Sequence, residues 1–470
     1  YCNIHIRIIC SRTIGVVTML ALKAKNYKEM SLLFFRFVIP ALTSQLLNGV
    51  YTIVDGFFVG IGAGEIGLAA IGVSYPFTLF ATAAGAGIGI GGGALMSISR
   101  GRGRVKLAGR ILSSMVMLML ISSLLISVSF CISLPRLIGL FGLSEELERL
   151  SLTYGRILLL FSFAQIFTMG LLGAVRNDGY PRKAMCIMVS GFVLNIVLDW
   201  LWVIVYPFGV AGAAWATALS QLMTAILMFL HFAVGRSNIR IRWKNMWGSL
   251  AFGKKITTMG ASPFGVQMAA ALTMIMHNKQ SLVYGGEIGL AAYSVISYVI
   301  PVGIMLQEGV AEGIQPLISY YHGAWLPARR KLTAKMGFSF AFGIGLLCSL
   351  SLVLLARYIP GFFSMGGTTA AVTVKGLILA APMFPFVGIV RVGASYYQSI
   401  GQPGYSSLLT YSDPMLILPL FLWLLPMFWG LDGVWLAMTF ANAVLSAILI
   451  TVWAFASKWG SILLPVQKNI

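Results

Sequence analysis

Gly64-Glu65-Ile66-Gly67-Leu68-Ala69-Ala70 recurs without change as Gly286-Glu287-Ile288-Gly289-Leu290-Ala291-Ala292, 222 residues further along a chain of 470. The same offset carries Gly179-Tyr180-Pro181 onto Gly401-Gln402-Pro403 and Gly101 onto Gly323, and an offset of 221 carries Gly209 onto Gly430. Four matches in register mark an internal duplication, and a duplication of that length sets the period of the whole fold.

The solvent of the two halves follows from composition. Hydrophobic residues make up 58% of the chain and charged residues 10%, and the mean hydropathy is +0.89. That leaves too little polar surface to cover a water-soluble globule of this length. Apolar runs of about 18 residues or more, each long enough at ~1.5 Å per residue to cross ~30 Å of hydrocarbon, predict helices and not a barrel. Twelve spans are expected, near 31–59, 66–96, 107–133, 152–175, 184–206, 210–234, 256–281, 288–318, 332–357, 369–399, 405–428 and 432–457. Six spans per half is an even number, so both halves share one topology. The expected fold class is an all-α membrane protein of two homologous six-helix bundles related by a pseudo-two-fold axis along the membrane normal. The expected divisions are an N-terminal cytoplasmic extension at 1–29, lobes at 30–235 and 256–457, a basic linker at 236–255 and a cytoplasmic tail at 458–470. Met19 and Met30 are internal starts that would place part of the extension outside the native structure; a signal-peptide reading of Ile14 to Leu22 is weaker.

The formal charge of +20 would suggest nucleic acid for a soluble protein, but here its placement decides. Lys and Arg fill alternate loops: Lys23, Lys25 and Lys28; Arg100, Arg102, Arg104, Lys106 and Arg110; Arg176, Arg182 and Lys183; Arg236 to Lys255; and Arg329 to Lys335. The intervening loops are short, neutral or acidic, as at Glu145, Glu146 and Glu148. Positive loops stay inside. Both termini are therefore expected in the cytoplasm; the further expectations are a multi-pass protein of the bacterial inner membrane acting as a monomer, with the lipid bilayer and a small molecule as partners and no nucleic acid. Five cysteines form no CxxC pair, so neither a disulfide framework nor a zinc site is expected.

Ionisable side chains inside spans are costly in lipid and mark function by default. The first half offers Asp55 and Asp199; the second offers His277, Glu308, Glu312, Lys375, Arg391 and Asp413. Asp55 lies about 20 residues along an outward first span and Asp199 about 15 along an outward fifth, with Asn195 one turn below on the same face. Tyr154 and Thr217, near the starts of inward spans, return to the same layer. Two duplicated bundles can rock to expose a central cavity to either side in turn, which favours a transporter.

Asp55 within Asn48 to Gly60 (NGVYTIVDGFFVG), the following GEIGLAAIGVSYP, the element Asn195-Ile196-Val197-Leu198-Asp199 and the paired Gly-x-Pro loops resemble the multidrug and toxic compound extrusion (MATE) family, and its DinF-like branch most. The resemblance covers about residues 30–457. It implies a cation site in the N-terminal lobe built from an acid on the first helix, an Asn and an Asp on the fifth, and a Tyr and a Thr on the fourth and sixth. Matched residue by residue, these are Asp55, Asn195, Asp199, Tyr154 and Thr217, with Asp55, Asn195 and Asp199 able to take Na⁺. The implied function is secondary antiport, exporting small organic cations or amphipathic compounds against inward protons or sodium ions, with no cofactor and no enzyme activity. The alternative is a flippase for lipids or lipid-linked oligosaccharides from the same superfamily.

Three residues of the second half are held as candidate substrate or second protonation groups. Glu308 and Glu312 lie one turn apart on the eighth span, and His277 occupies the repeat position of Asp55. Arg391 and Asp413 flank the Gly401-Gln402-Pro403 turn symmetrically and are expected to form a structural ion pair. Gly87-Ile88-Gly89-Ile90-Gly91-Gly92 carries a GxGxxG pattern, but with no preceding strand it reads as small residues that let helices approach closely. The basic loop Arg100 to Arg104 is similar to one in major-facilitator transporters but lacks the acidic residue expected there. Neither a hydrolase or metalloprotease motif nor a repeated filter segment stands out, so a membrane enzyme and a channel rank last.

Overall fold

A computed structural model describes residues 27–139, 143–234, 237, 239–241, 251–363 and 365–458. The stretch 1–26, most of the linker at 236–255 and the tail beyond 458 therefore lie outside the described residues. Among those described, all regular structure is helical.

The heptapeptide that recurs in the sequence is the place where each half bends. Tyr27–Gly101 runs as one helix interrupted at Gly64 (φ 66°, ψ −168°), and Gly253–Gly323 as another interrupted at Gly286 (φ 58°, ψ −153°). That backbone region is essentially closed to any residue with a Cβ. At ~1.5 Å per residue the 71 residues of Gly253–Gly323 would extend about 107 Å unbroken, far beyond a ~30 Å bilayer core. The glycine turns one helix into two crossing segments.

The duplication extends to the other left-handed positions. Gly179 and Gly401 (φ 90° and 78°) and Gly209 and Gly430 (φ 58° and 53°) pair at the offsets read from the sequence. Gly103 (φ 74°) pairs with Trp325 (φ 57°), the one positive-φ residue with a side chain among the described residues. That last pair carries no sequence identity, so the backbone shows the repeat more completely than the residues do.

The elements are α1 (Tyr27–Gly64) and α2 (Ala69–Gly101), α3 (Val105–Gly139), the pair α4 (Glu145–Leu160) and α5 (Ser162–Asn177) bent by 51°, α6 (Pro181–Val205), α7 (Gly209–Ala233), α8 (Gly253–Gly323) and α9 (Pro327–Leu355). They continue as the short α10 (Ile359–Phe362), the pair α11 (Gly367–Ala380) and α12 (Met383–Ser399) bent by 46°, α13 (Pro403–Trp429) and α14 (Leu431–Lys458). Nine helices among the described residues are long and apolar enough to cross a membrane singly, and two bent pairs do so jointly. With α8 divided at Gly286, these account for the twelve expected spans. Large apolar side chains stay uncovered along α3 and α9, such as Leu124, Leu125, Ile132, Leu347, Leu350 and Leu354, which lipid can cover at no penalty.

The chain divides into two units that do not coincide with the sequence halves. The first takes the whole first half and, from the second, residues up to Ala271, Glu312–Lys335 and Ser395–Ser407. The second takes Leu272–Ala311, Met336–Ala394 and the chain from Leu408 onward. The GxGxxG segment is explained inside the first unit. A Cβ on Gly89 would stand 2.6 Å from the carbonyl oxygen of Gly170, and one on Gly91 2.6 Å from the backbone nitrogen of Gly260. Helices α5 and α8 thus lie backbone to backbone on α2.

These backbones give a paired prediction. Gly64→Ala should lose about 1–3 kcal/mol to strain and lower the thermal midpoint of the purified protein. Gly72→Ala, at an exposed helical position with no atom within 4 Å of the new methyl, should hold or raise it by up to about 1 kcal/mol. Equal midpoints for the two variants would contradict the hinge assignment.

Candidate functional site

The site candidates of the first half converge. Asp55 on α1 and Asp199 near the end of α6 lie within hydrogen-bonding reach of each other. Asp199 is fully buried, and Asn195, Thr217 and Tyr154 are buried around it. In the amide orientation that satisfies both its neighbours, Asn195 donates to Asp199 Oδ2 (2.8 Å) and accepts from the Thr217 backbone N–H (3.1 Å). Tyr154 on α4 lies within electrostatic reach of both acids. All five residues belong to the first unit.

Local sequence explains how the cluster is held. Asn195 and Asp199 are four residues apart on α6 and so face the same way. Just beyond Asp199 the helix widens into a π segment, Trp200–Val205, a feature that recurs at functional positions. Tyr51, four residues before Asp55, stacks on Phe192 of α6 (5.0 Å, 14°), and its hydroxyl is hydrogen-bonded to Thr217. The sequence reading passed over Tyr51, although its i, i+4 spacing from Asp55 was the signal that could have found it.

Charge balance is incomplete there. Asp55 Oδ1 and Asp199 Oδ1 are both sealed from solvent with no hydrogen-bond partner. Two carboxylates in contact without a neighbouring cation repel strongly in a medium of low dielectric. A shared proton or a small monovalent cation between them removes that cost. The two carboxylate oxygens that nothing in the chain satisfies suit a hard ion.

The second-half candidates do not join this cluster. His277 is buried; its Nδ1 bonds the carbonyl oxygen of Thr273 (3.0 Å), and its ring stacks on Tyr293 (5.3 Å, 9°), which stacks in turn on Trp435. A carbonyl only accepts, so the proton sits on Nδ1, and Nε2 is left buried without a partner. Glu308 pairs with Arg391 at 3.8 Å. Asp413, expected to take that arginine, stands within electrostatic reach of it and is hydrogen-bonded to Asn442. It opens a π segment, Asp413–Ile417, whose added residue shifts the helical register. Glu312, one turn after Glu308, is held in the other unit by Arg176 and Gln45.

A second buried polar group, missed in the sequence, lies on the Lys/Arg-rich loops of the first half. Asp178 is ion-paired with Arg100 (3.5 Å) and bonded to His231 Nε2 (3.0 Å), while Lys183 Nζ meets His231 Nδ1 (3.1 Å). An ammonium only donates, so Nδ1 accepts and Nε2–H donates to Asp178. A run of basic residues reads as a solvated loop, which hid the one acid at its centre.

This arrangement of helices and buried acids is that of a polytopic membrane protein. The MatE family model matches residues 40–201 and 263–413, more than half of the chain, and the protein belongs to that family, MATE. Multidrug export protein MepA of Staphylococcus haemolyticus (strain JCSC1435) is similar at 24% identity over 431 residues, covering 89% of this chain and 92% of that protein. MepA of Staphylococcus aureus (strain N315) is 24% identical over 321 residues, covering 66% and 69%. Among solved structures, an outward-facing MATE family multidrug resistance transporter of the MOP superfamily superposes with a TM-score of 0.86 at 24% identity, covering 91% of this chain and 96% of that one. A MOP superfamily transporter from Pyrococcus furiosus, described as having a binding pocket of reverse polarity, gives 0.85 at 24%, covering 90% and 95%.

Proposed function

We propose that the protein is a secondary antiporter of the inner membrane that expels small organic, cationic or amphipathic compounds in exchange for inward-moving protons or sodium ions. The observation that carries the reading is the contact between Asp55 and Asp199, each with a buried oxygen that nothing in the chain satisfies. Occupancy of that gap by an ion changes the charge felt by α1, and an unoccupied, charged gap favours the state that accepts cargo. Net transport follows if the bundles alternate in access and the ion and the cargo are not held together.

Family membership, the MepA relatives and the acids at 55 and 199 support efflux, and the Asp55, Asn195 and Asp199 pattern supports the DinF-like branch. The same acids argue against the flippase alternative, because a phosphate-bearing cargo would call for cationic lining. The loop charges favour both termini in the cytoplasm, and we take the monomer as the working unit.

The test is export of ethidium from vesicles holding the purified protein, with proton and sodium gradients imposed independently. Transport should follow one gradient and stop when that gradient alone is collapsed. Ethidium movement that ignores both gradients would remove the antiporter reading.

A further inference from the structure

Arg176, Asn177 and Asp178 are consecutive, but their side chains part in two directions. Asp178 turns to Arg100 and His231 within the first half. Arg176 and Asn177 reach the end of α8 that belongs to the same unit. Arg176 Nη1 donates to Glu312 Oε2, and the same oxygen accepts from Gln45 Nε2 of α1 at 3.0 Å. Asn177 Nδ2 donates to Gln315 Oε1 (2.8 Å), and Asn177 Oδ1 accepts from Ser97 Oγ of α2 (2.7 Å). Nearer the loops, Met30, Leu33 and Phe37 of α1 form one apolar cluster with Leu317, Tyr320 and Tyr321 of α8.

We infer that Glu312 is the latch of the gate on the Lys/Arg-rich face: its bonds to Arg176 and Gln45 hold the end of α8 against α1 and α5, and they must break for that face to open. The use assigned to the latch rests on the alternating-access reading above; the geometry does not.

Three features make this a latch and not a permanent strut. The pair is single-pronged, with Arg176 Nη2 buried without a partner, so one bond has to break where a bidentate arginine–carboxylate contact would present two. Both donors converge on one oxygen, so loss of the Glu312 charge weakens two helix contacts together. One donor, Gln45, sits on the helix that carries Asp55, ten residues or ~15 Å before it. A displacement of α1 at Asp55 is therefore felt at Glu312.

The experiment reads the gate itself. In a cysteine-free background, Leu317→Cys places a thiol in the buried cluster beneath the latch, and its reaction with a water-soluble maleimide is timed in nanodiscs. Slow labelling is expected for the parent and labelling faster by about tenfold, a population shift of one decade, for Glu312→Gln and for Arg176→Ala. The reversed pair Arg176→Glu with Glu312→Arg should return most of the protection, which a general loosening of the fold would not. Glu312→Gln keeps the shape of the side chain, so it carries the test even where Arg176→Ala folds poorly. Labelling of Glu312→Gln within about twofold of the parent, or acceleration equal to that from Lys375→Gln at the exposed Lys375–Asp432 pair, overturns the latch. Ethidium transport is measured separately, so failure of every protein to move ethidium counts against the antiporter reading alone.

Discussion

Replacing Asp199 by Asn is expected to reduce gradient-driven ethidium export to the level of vesicles without the protein, while the variant remains folded in the membrane. The substitution preserves volume and keeps an oxygen for Asn195 to donate to, so packing around α6 and α7 is retained. What it removes is one of two like charges in contact, and with it the need for a compensating ion. If the exchange of that ion drives the cycle, the cycle stops; if the cluster only ties helices together, export continues. Thermal stability separates the outcomes further. Relieving a repulsion between buried acids should leave the midpoint unchanged or raised, so loss of export with a sharply lowered midpoint would point to misfolding instead. The same result is expected for Asp55→Asn, because either acid alone leaves no pair to compensate.

Asp178→Asn is expected to act in the opposite manner, through stability. Asp178, Arg100 and His231 are all buried, and the carboxylate is the acceptor for both neighbours. The amide carries less negative charge and brings two donors toward groups that also donate. Removing one partner of a buried ion pair leaves the other charge uncompensated, a loss of roughly 3–5 kcal/mol. The variant should show a markedly lower thermal midpoint and reduced yield in detergent. By contrast, Lys375→Gln breaks an ion pair that is largely exposed to solvent and should change stability by less than about 1 kcal/mol. Similar midpoints for these two variants would mean that the buried network is not a structural anchor.

Membrane solvent, duplication and spans were legible in the residues because each depends on a property that the linear order preserves. Hydropathy gives the spans within a few residues, and Gly64 and Gly286 are turns for the same reason that they recur. The meeting of Asp199 with Asn195 was also legible, since residues four apart on one helix face the same way. Three features were less visible. The pairing of Trp325 with Gly103 has no residue identity behind it and appears only as a shared positive φ. The partner of Arg391 depended on a π segment at Asp413 that shifts the register. The roles of Glu308 and Glu312 required knowing which helices stand beside α8. Two acids one turn apart present the same signal in sequence, yet one is bound to Arg391 and the other to Arg176. Span direction gives depth, and it says nothing of which neighbour a side chain meets at that depth.

The central claim is that cargo and a coupling ion compete through the acids of the first half. Its most direct measurement is ion release on cargo binding: ethidium is added to the purified protein in weakly buffered solution, with protons followed by a pH-sensitive dye and sodium by a radioactive tracer. The account predicts that the wild-type protein releases one of the two ions as ethidium binds and that the Asp55→Asn, Asp199→Asn double variant releases neither. Equal release from the double variant, or ethidium binding to the wild type with no release of either ion, would contradict it.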